Sequence, residues 1–199
     1  MQSKNVNVFF DVEGWEMAPQ HRNSHPRLIA SIGQVKEVLD RYGVKGVFNV
    51  CGIIAEYAPD IIGDLAREGH EIACHGYSHE NFHYLNQTQL SDILRSANDC
   101  IRKSTGHSPA GIRCPWLTYD KEMLSAFKKA GYIWMSNQHM SHSELTFHSH
   151  RYRGKLVNML AHLNDRRRWG KYPKEPYDLG GIVEIPLMSS TDGDIIGEV

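Results

Sequence analysis

Short apolar runs alternate with longer segments of helical periodicity along most of the chain. The first run, Val6–Phe10, is rich in apolar residues and leads directly to Asp11, which is typical of a strand buried on both faces of a parallel sheet. After a polar loop, Pro26–Tyr42 carries apolar residues every three or four positions and is followed by Gly43, a common helix stop. The pattern predicts a strand, a loop and a helix.

The same alternation continues to residue 135. It predicts four further strands, at Gly46–Val50, Glu71–Cys74, Gly111–Ile112 and Tyr132–Met135. It predicts three further helices, at Pro59–Glu68, Thr88–Thr105 and Asp120–Ala130. Strands that alternate with helices indicate parallel βαβ units. Periodicity alone leaves open whether the sheet is a closed barrel or an open doubly wound sheet.

Residues 136–178 lose clear periodicity and become polar before Gly181–Leu187 returns as a predicted final strand. Long loops in compact domains usually carry function or short helices, and we expect a helix at Lys155–Asn164. Neither an internal repeat nor a low-complexity tract is evident. A chain of this length and apolar content suits one core, so we predict a single domain over residues 1–199.

Composition excludes several kinds of partner. Lys and Arg total 22 against 23 for Asp and Glu, so no global field attracts nucleic acid or an anionic membrane surface. Apolar stretches stay well below the ~18 residues of a membrane span. The start shows no basic segment followed by an apolar one, and the four cysteines lack C-x-x-C spacing. We therefore expect reduced, buried thiols in a cytoplasmic protein.

Two acidic residues follow the first predicted strand. Asp11 and Glu13 stand where side chains of parallel α/β proteins project into the ligand crevice or barrel mouth. There, one carboxylate can hold a metal while the other acts as general base on the metal-bound water. A D-x-E pair by itself also fits an acidic loop cap.

Histidines at four-residue spacing offer nitrogen ligands for the same ion. The chain has three such pairs, His21/His25, His75/His79 and His79/His83. Only His75/His79 begins at the end of a buried strand, and a helical turn would let both rings face one ion. Glu13 with these two histidines would leave a position for water, as in catalytic sites for zinc, cobalt, nickel or manganese. Asp11 would then deprotonate that water.

The segment Arg113-Cys114-Pro115-Trp116 closes the fourth predicted strand. Arg113 could orient Asp11 through a bidentate ion pair, and Trp116 could form an apolar wall for a sugar face. A surface arginine beside a core tryptophan is the alternative. We take Trp116, Pro115 and Tyr77 as candidate substrate-binding residues.

Three segments together, FFDVEG, HGYSHENF and GIRCPW, resemble in order and separation the first motifs of the polysaccharide deacetylases, carbohydrate esterase family 4. The resemblance covers about residues 5 to 190. It implies a distorted (β/α)7 barrel and hydrolysis of an N-acetyl group or related amide. It implies Asp11 as base, Glu13, His75 and His79 as metal ligands, and Arg113 as the residue that steadies the base.

Two features depart from the family pattern. The best-known family members carry two adjacent aspartates in the first motif, where this chain has Asp-Val-Glu. In this it resembles the branch that includes intracellular-type peptidoglycan deacetylases and allantoinase-like or cyclic-imide hydrolases. A late Leu-x-His, whose histidine protonates the leaving amine, does not follow the last predicted strand, and Leu160-Ala161-His162 precedes it. Either the acid comes from elsewhere in the chain, or the chain is a shortened relative. The second alternative predicts a barrel short of its last strand and helix, with an open edge that a homo-oligomer could cover.

The leading prediction is a hydrolase of linear C–N amide bonds that deacetylates an N-acetylated sugar with one divalent metal, zinc first. A second prediction keeps the fold and metal but takes a small cyclic amide, an imide or ureide, as substrate. A third is a catalytically silent glycan-binding subunit. A substrate panel with metal analysis separates the three.

Overall fold

The computed structural model describes residues 7–14, 25–117, 119–137 and 175–186. In these ranges the strands are β1 Phe9–Val12, β2 Val47–Val50, β3 Glu71–Cys74, β4 Gly111–Ile112, β5 Trp134–Met135, β6 Tyr177–Asp178 and β7 Val183–Glu184. The α-helices are α1 His25–Arg41, α2 Gly52–Tyr57, α3 Pro59–Arg67, α4 Gln87–Thr105 and α5 Leu124–Lys129.

All seven strands form one sheet in the order β1-β2-β3-β4-β5-β7-β6. Every neighbouring pair is parallel except β6 and β7. From β1 to β5 the order follows the sequence without the reversal that marks a doubly wound sheet, so the fold is of the (β/α)-barrel type. The prediction of a distorted barrel is confirmed, with a sheet that is not closed: within the described ranges β1 and β6 are its edges.

Predicted boundaries agree best where local signals are strongest. Strand β3 and strand β4 have the predicted limits. Helix α4 begins at a capping box, in which Asn86 and Gln89 exchange two hydrogen bonds of 2.9 Å, and it ends at Gly106 with φ +86°. These caps satisfy backbone groups that have no partner inside the helix.

Other predictions were wrong in part. Strand β1 starts and ends later than Val6–Phe10, so Asp11 lies inside the strand instead of after it. Helix α5 is shorter than Asp120–Ala130, β7 is shorter than Gly181–Leu187, and α2 and β6 were not predicted. Helix α2 has six residues and no side-chain N-cap, so its apolar start resembles a continuation of β2. The predicted helix Lys155–Asn164 lies outside the described residues.

The buried core lies between the sheet and its helices. Strands β2 and β3 are each buried over their last three residues. Gly52 of α2 and Gly63 of α3 allow these helices to approach α4 closely. A Cβ atom at Gly52 would lie 2.7 Å from the Cα of Ala97, and one at Gly63 would lie 2.6 Å from the carbonyl oxygen of Ser104. Side chains at either position would separate the helices.

The four cysteines are free thiols, as predicted, and three of them are buried while Cys100 is half-buried. Burial raises the pKa of Cys74 to about 11, so it stays protonated at neutral pH. Among the helices of the described ranges, none combines the length and apolarity needed to cross a bilayer.

Candidate metal and active site

The carboxyl ends of β1 and β3 bring one carboxylate and two imidazoles together. Oε2 of Glu13 lies 2.9 Å from Nε2 of His75 and 2.5 Å from Nε2 of His79. The candidate ligand atoms of all three residues lie within 4.8 Å of one another. His75 is 2% exposed, whereas the side chain of Glu13 is 25% exposed. The three predicted ligands therefore form one cluster with a buried side and an open side.

The hydrogen bonding of His75 makes this cluster suited to a cation. Its Nδ1 lies 2.8 Å from the backbone carbonyl oxygen of Arg113. A carbonyl oxygen only accepts, so Nδ1 carries the proton and Nε2 of the neutral ring presents a lone pair. That lone pair faces the carboxylate of Glu13. Nε2 of His75 and Oε2 of Glu13 are then two acceptors only 2.9 Å apart, so a proton or a cation must lie between them. Neutral imidazoles together with a carboxylate are a common ligand set for divalent metals.

Glu13 is ionised throughout the physiological pH range. Burial raises the pKa of its carboxyl, but the neighbouring rings of His75 and His79 outweigh that effect and lower the pKa to about 2. Metal ligands must be deprotonated before they bind. The carboxylate is thus already in its ligand form at neutral pH.

The loop between the two histidines is anchored from both sides. The first amides of α2 donate to the carbonyl oxygens of Gly76 and Tyr77, at 2.9 Å each. The carboxylate of Glu80 accepts from the amides of Tyr77 and Ser78 and from the Ser78 hydroxyl, at 2.7 to 3.0 Å. These contacts hold the loop in a bend that brings His79 next to Glu13.

The two histidines do not reach the cluster through the helical turn that their four-residue spacing would allow. The segment is not helical, and His79 has φ +65°, a left-handed conformation that is uncommon for residues other than glycine. Such backbone costs free energy and persists where surrounding contacts enforce it. The two rings are brought together by the anchored bend.

Asp11 lies beside this cluster on β1 with its side chain 35% exposed. Its Oδ1 accepts from Nη1 of Arg113 at 3.0 Å and from Nδ2 of Asn49 at 2.6 Å. Arg113 is itself fixed, because its Nε and Nη2 donate to the carbonyl and hydroxyl oxygens of Ser136, both at 3.0 Å. The predicted arginine therefore contacts the predicted base, through one oxygen and not through a bidentate pair.

The three candidate substrate-binding residues differ in their surroundings. Trp116 is 36% exposed, and its ring lies 5.1 Å from that of His79. Pro115 is buried beneath the histidine loop, where a Cβ at Gly76 would lie 3.1 Å from its Cγ. The hydroxyl of Tyr77 donates to Glu56 of α2 at 2.6 Å. Only Trp116 combines exposure with a position beside the cluster.

Comparison with known proteins identifies the group to which this arrangement belongs. The family model of polysaccharide deacetylase matches residues 30–134, more than half of the chain. The chain belongs to the polysaccharide deacetylase family. The resemblance of the three motifs is confirmed at the level of the family.

Two curated relatives of this polysaccharide deacetylase family member carry related names. A peptidoglycan deacetylase-like protein, FGM2 of Gibberella zeae, is 29% identical over 91% of the chain and 56% of its own length. The peptidoglycan-N-acetylglucosamine deacetylase of Bacillus cereus is 30% identical over 42% of the chain and 30% of its own length. The chain spans less than two thirds of the length of either relative.

Two solved structures share the fold of this family member. A Mycobacterium smegmatis protein assigned to the polysaccharide deacetylases has a TM-score of 0.67 at 22% identity, over 91% of this chain and 57% of the other. Peptidoglycan deacetylase PdaC of Bacillus subtilis has a TM-score of 0.54 at 23% identity, over 66% of this chain and 57% of the other. These likenesses support the barrel-type fold.

A second group with ligand-type atoms, Asp40, Glu68 and His70, also lies within 4.8 Å, but its chemistry does not suit a cation. Nζ of Lys36 lies 3.0 Å from both carboxylates and already supplies a positive charge between them, which offsets one of their two negative charges. Nδ1 of His70 accepts from the amide of Gly46 at 3.1 Å, so in the neutral ring Nε2 carries the proton and has no lone pair for a metal. The deacetylase motifs and the donor chemistry select the same cluster.

Two residues of the candidate site were not predicted from the sequence. Glu80 anchors the histidine loop, and Asn49 contacts Asp11. The signal for Asn49 was an amide inside the apolar strand VFNV, at a position that pairs with Asp11 in the sheet register. Of the other histidines, His83 is exposed and stands apart from the cluster. His21, the side chain of His25 and the Leu160-Ala161-His162 segment lie outside the described residues.

Proposed function

We propose that this chain deacetylates N-acetylated glycans with one divalent cation held by Glu13, His75 and His79. The observation that carries the proposal is the convergence of a carboxylate and two imidazoles in which a lone pair of His75 faces the Glu13 carboxylate. Family membership and the names of the relatives add support, since both concern deacetylation of glycans. Zinc suits the donor set, as do cobalt, nickel and manganese.

A divalent cation bound there supplies Lewis acidity, which polarises an amide carbonyl and lowers the pKa of a coordinated water. Asp11 accepts the proton of the attacking water as general base. Its Oδ1 is occupied by hydrogen bonds from Arg113 and Asn49, which leaves Oδ2 for that proton. When the C–N bond breaks, the oxygen of the water ends in acetate, and the nitrogen takes up one proton in exchange for the one that Asp11 accepted, which gives a free amine.

Buried donors around Asp11 and the apolar ring of Trp116 support the choice of substrate. Arg113 keeps the carboxylate oriented at the open side of the cluster. Trp116 offers a flat apolar surface beside His79, which suits the methyl group of an acetamide or the face of a sugar ring. The relatives named as deacetylases favour the linear N-acetyl amide over the cyclic amides that the Asp-Val-Glu motif also allows.

The test combines metal analysis with a substrate panel. We expect about one divalent ion per chain and acetate release from N-acetylated chito-oligosaccharides that stops on chelation and returns with Zn²⁺ or Co²⁺. His79→Ala should remove both the metal and the activity, whereas Glu68→Gln, in the group that does not suit a cation, should keep both. If the metal-loaded chain hydrolyses only imides or ureides, the proposed substrate changes from an N-acetylated glycan to a small cyclic amide. Metal without any turnover would favour the silent subunit, and a metal-free chain would refute the proposal.

A further inference from the structure

Asn49 is a polar residue at a position where the fold calls for an apolar one. It is the third residue of β2, its neighbours Phe48 and Val50 are buried, and it is itself 0% exposed. Its Nδ2 donates to Oδ1 of Asp11 at 2.6 Å. Because a carboxylate only accepts, the amide must present its NH₂ group to Asp11 and turn its oxygen away.

This arrangement is unfavourable for stability taken alone. Oδ1 of Asn49 is buried without a hydrogen-bond partner among the described residues, and an unpaired buried acceptor costs free energy. A leucine has nearly the same shape and would bury no polar atom. Asp11 would still have Arg113 as a donor. Packing therefore does not explain the asparagine, and its contact with Asp11 is the feature that a leucine could not reproduce.

We propose that Asn49 is a positioning residue for Asp11, an inference that rests on the proposed function. Asn49 reaches Oδ1 from the adjacent strand β2, and Arg113 reaches the same atom from the end of β4. Two donors from different strands restrict rotation of the carboxylate more than one donor does. They hold Oδ2 in a single direction for the proton of the attacking water, and small misplacement of a catalytic group is costly in rate.

Asn49→Leu tests this role by turnover and stability together. We expect kcat to fall about 10- to 100-fold, with KM and cation affinity within about twofold of the parent chain and a Tm equal to or above the parent value. A purely structural asparagine would instead give a lower Tm and an unchanged kcat. Asn49→Asp, which replaces the donor by a second carboxylate next to Asp11, should lower kcat at least as far.

Asn98→Leu provides the matched control. Asn98 is half-buried, and both of its side-chain polar groups are paired. Its Oδ1 accepts from the hydroxyl of Tyr132 at 2.6 Å, and its Nδ2 donates to the carbonyl oxygen of Ala130 at 3.2 Å. Its replacement should lower the Tm and leave kcat unchanged. If Asn49→Leu retains full kcat, or if it loses the cation, the positioning role is refuted.

A readout that needs no turnover separates this inference from the proposed function. In a chain labelled with ¹⁵N-asparagine, the side-chain amide of Asn49 is assigned as the signal lost in Asn49→Leu. We expect one of its protons to be shifted downfield and to exchange slowly with solvent, and both properties to disappear in Asp11→Ala. A signal in the parent chain that resembles the exposed asparagines would overturn the inference, whether or not the parent deacetylates glycans.

Discussion

Replacing Glu13 by glutamine should abolish most of the thermal stabilisation that a divalent cation confers. The change keeps the size of the side chain but removes the charge that two imidazoles face. A ligand that binds only the folded state stabilises it by about 2.7 kcal/mol at 100 times its Kd. For a domain of this size, that free energy corresponds to a rise in Tm of about 5–11 °C, at about 2–4 °C per kcal/mol.

The variant should gain much less at the same cation concentration. If loss of the carboxylate weakens binding about 100-fold, the cation stands at its new Kd and stabilises by about 0.4 kcal/mol, or about 1–2 °C. The measurement is a thermal melt followed by circular dichroism, on chelator-treated protein titrated with Zn²⁺. An equal Tm rise in Glu13→Gln and in the parent would place the cation elsewhere and refute the assignment.

Glu68→Gln is the matched control for this experiment. It removes a carboxylate from the group of Asp40, Glu68 and His70, in which the ammonium of Lys36 already pairs with both carboxylates. Its rise in Tm with Zn²⁺ should equal that of the parent chain. If only Glu68→Gln lost its rise in Tm, the cation would bind in that group. The conclusion that the His70 tautomer offers no lone pair to a metal would then be wrong.

Three further predictions concern the base, the loop and the helix layer. Asp11→Asn should lower kcat at least about 100-fold while metal content per chain, measured by mass spectrometry, stays at the parent value; a cation lost with it would make Asp11 a ligand. Glu80→Gln removes one acceptor from the loop that carries His79. It should weaken Zn²⁺ binding about 10-fold in a chelator competition. An unchanged affinity would show that the loop keeps its conformation without the Glu80 carboxylate. Gly63→Ala would place a Cβ atom 2.6 Å from the carbonyl oxygen of Ser104. It should lower the free energy of urea unfolding by about 1–3 kcal/mol. An unchanged midpoint of the urea transition would contradict the close approach of α3 to α4.

Local signals were enough to predict much of the fold and the members of the candidate cluster. Alternating strands and helices with glycine stops indicated parallel βαβ units, and α4 carries both of its caps in its own sequence. Glu13 and His75 were singled out because each follows a strand that was predicted to be buried, although 62 residues separate them. Strand β3 is buried over its last three residues, whereas in β1 only Val12 is buried. Parallel strands end at the same edge of a sheet, so position along the chain was a sufficient guide.

The contacts that complete the site come from tertiary structure. The left-handed backbone of His79 depends on hydrogen bonds that the first amides of α2 donate to the loop and that the Glu80 carboxylate accepts from it. Asn49 reaches Asp11 only because β1 and β2 pair in one particular register. A shift of one residue would turn Asn49 to the other face of the sheet. Periodicity specifies which side of a strand or helix is apolar, so the sequence by itself determined the elements and their order. Packing across the sheet decides the strand register and the loop conformation. It also decides that Asn49 and Arg113 donate to the same oxygen of Asp11, so only the folded structure determined these features.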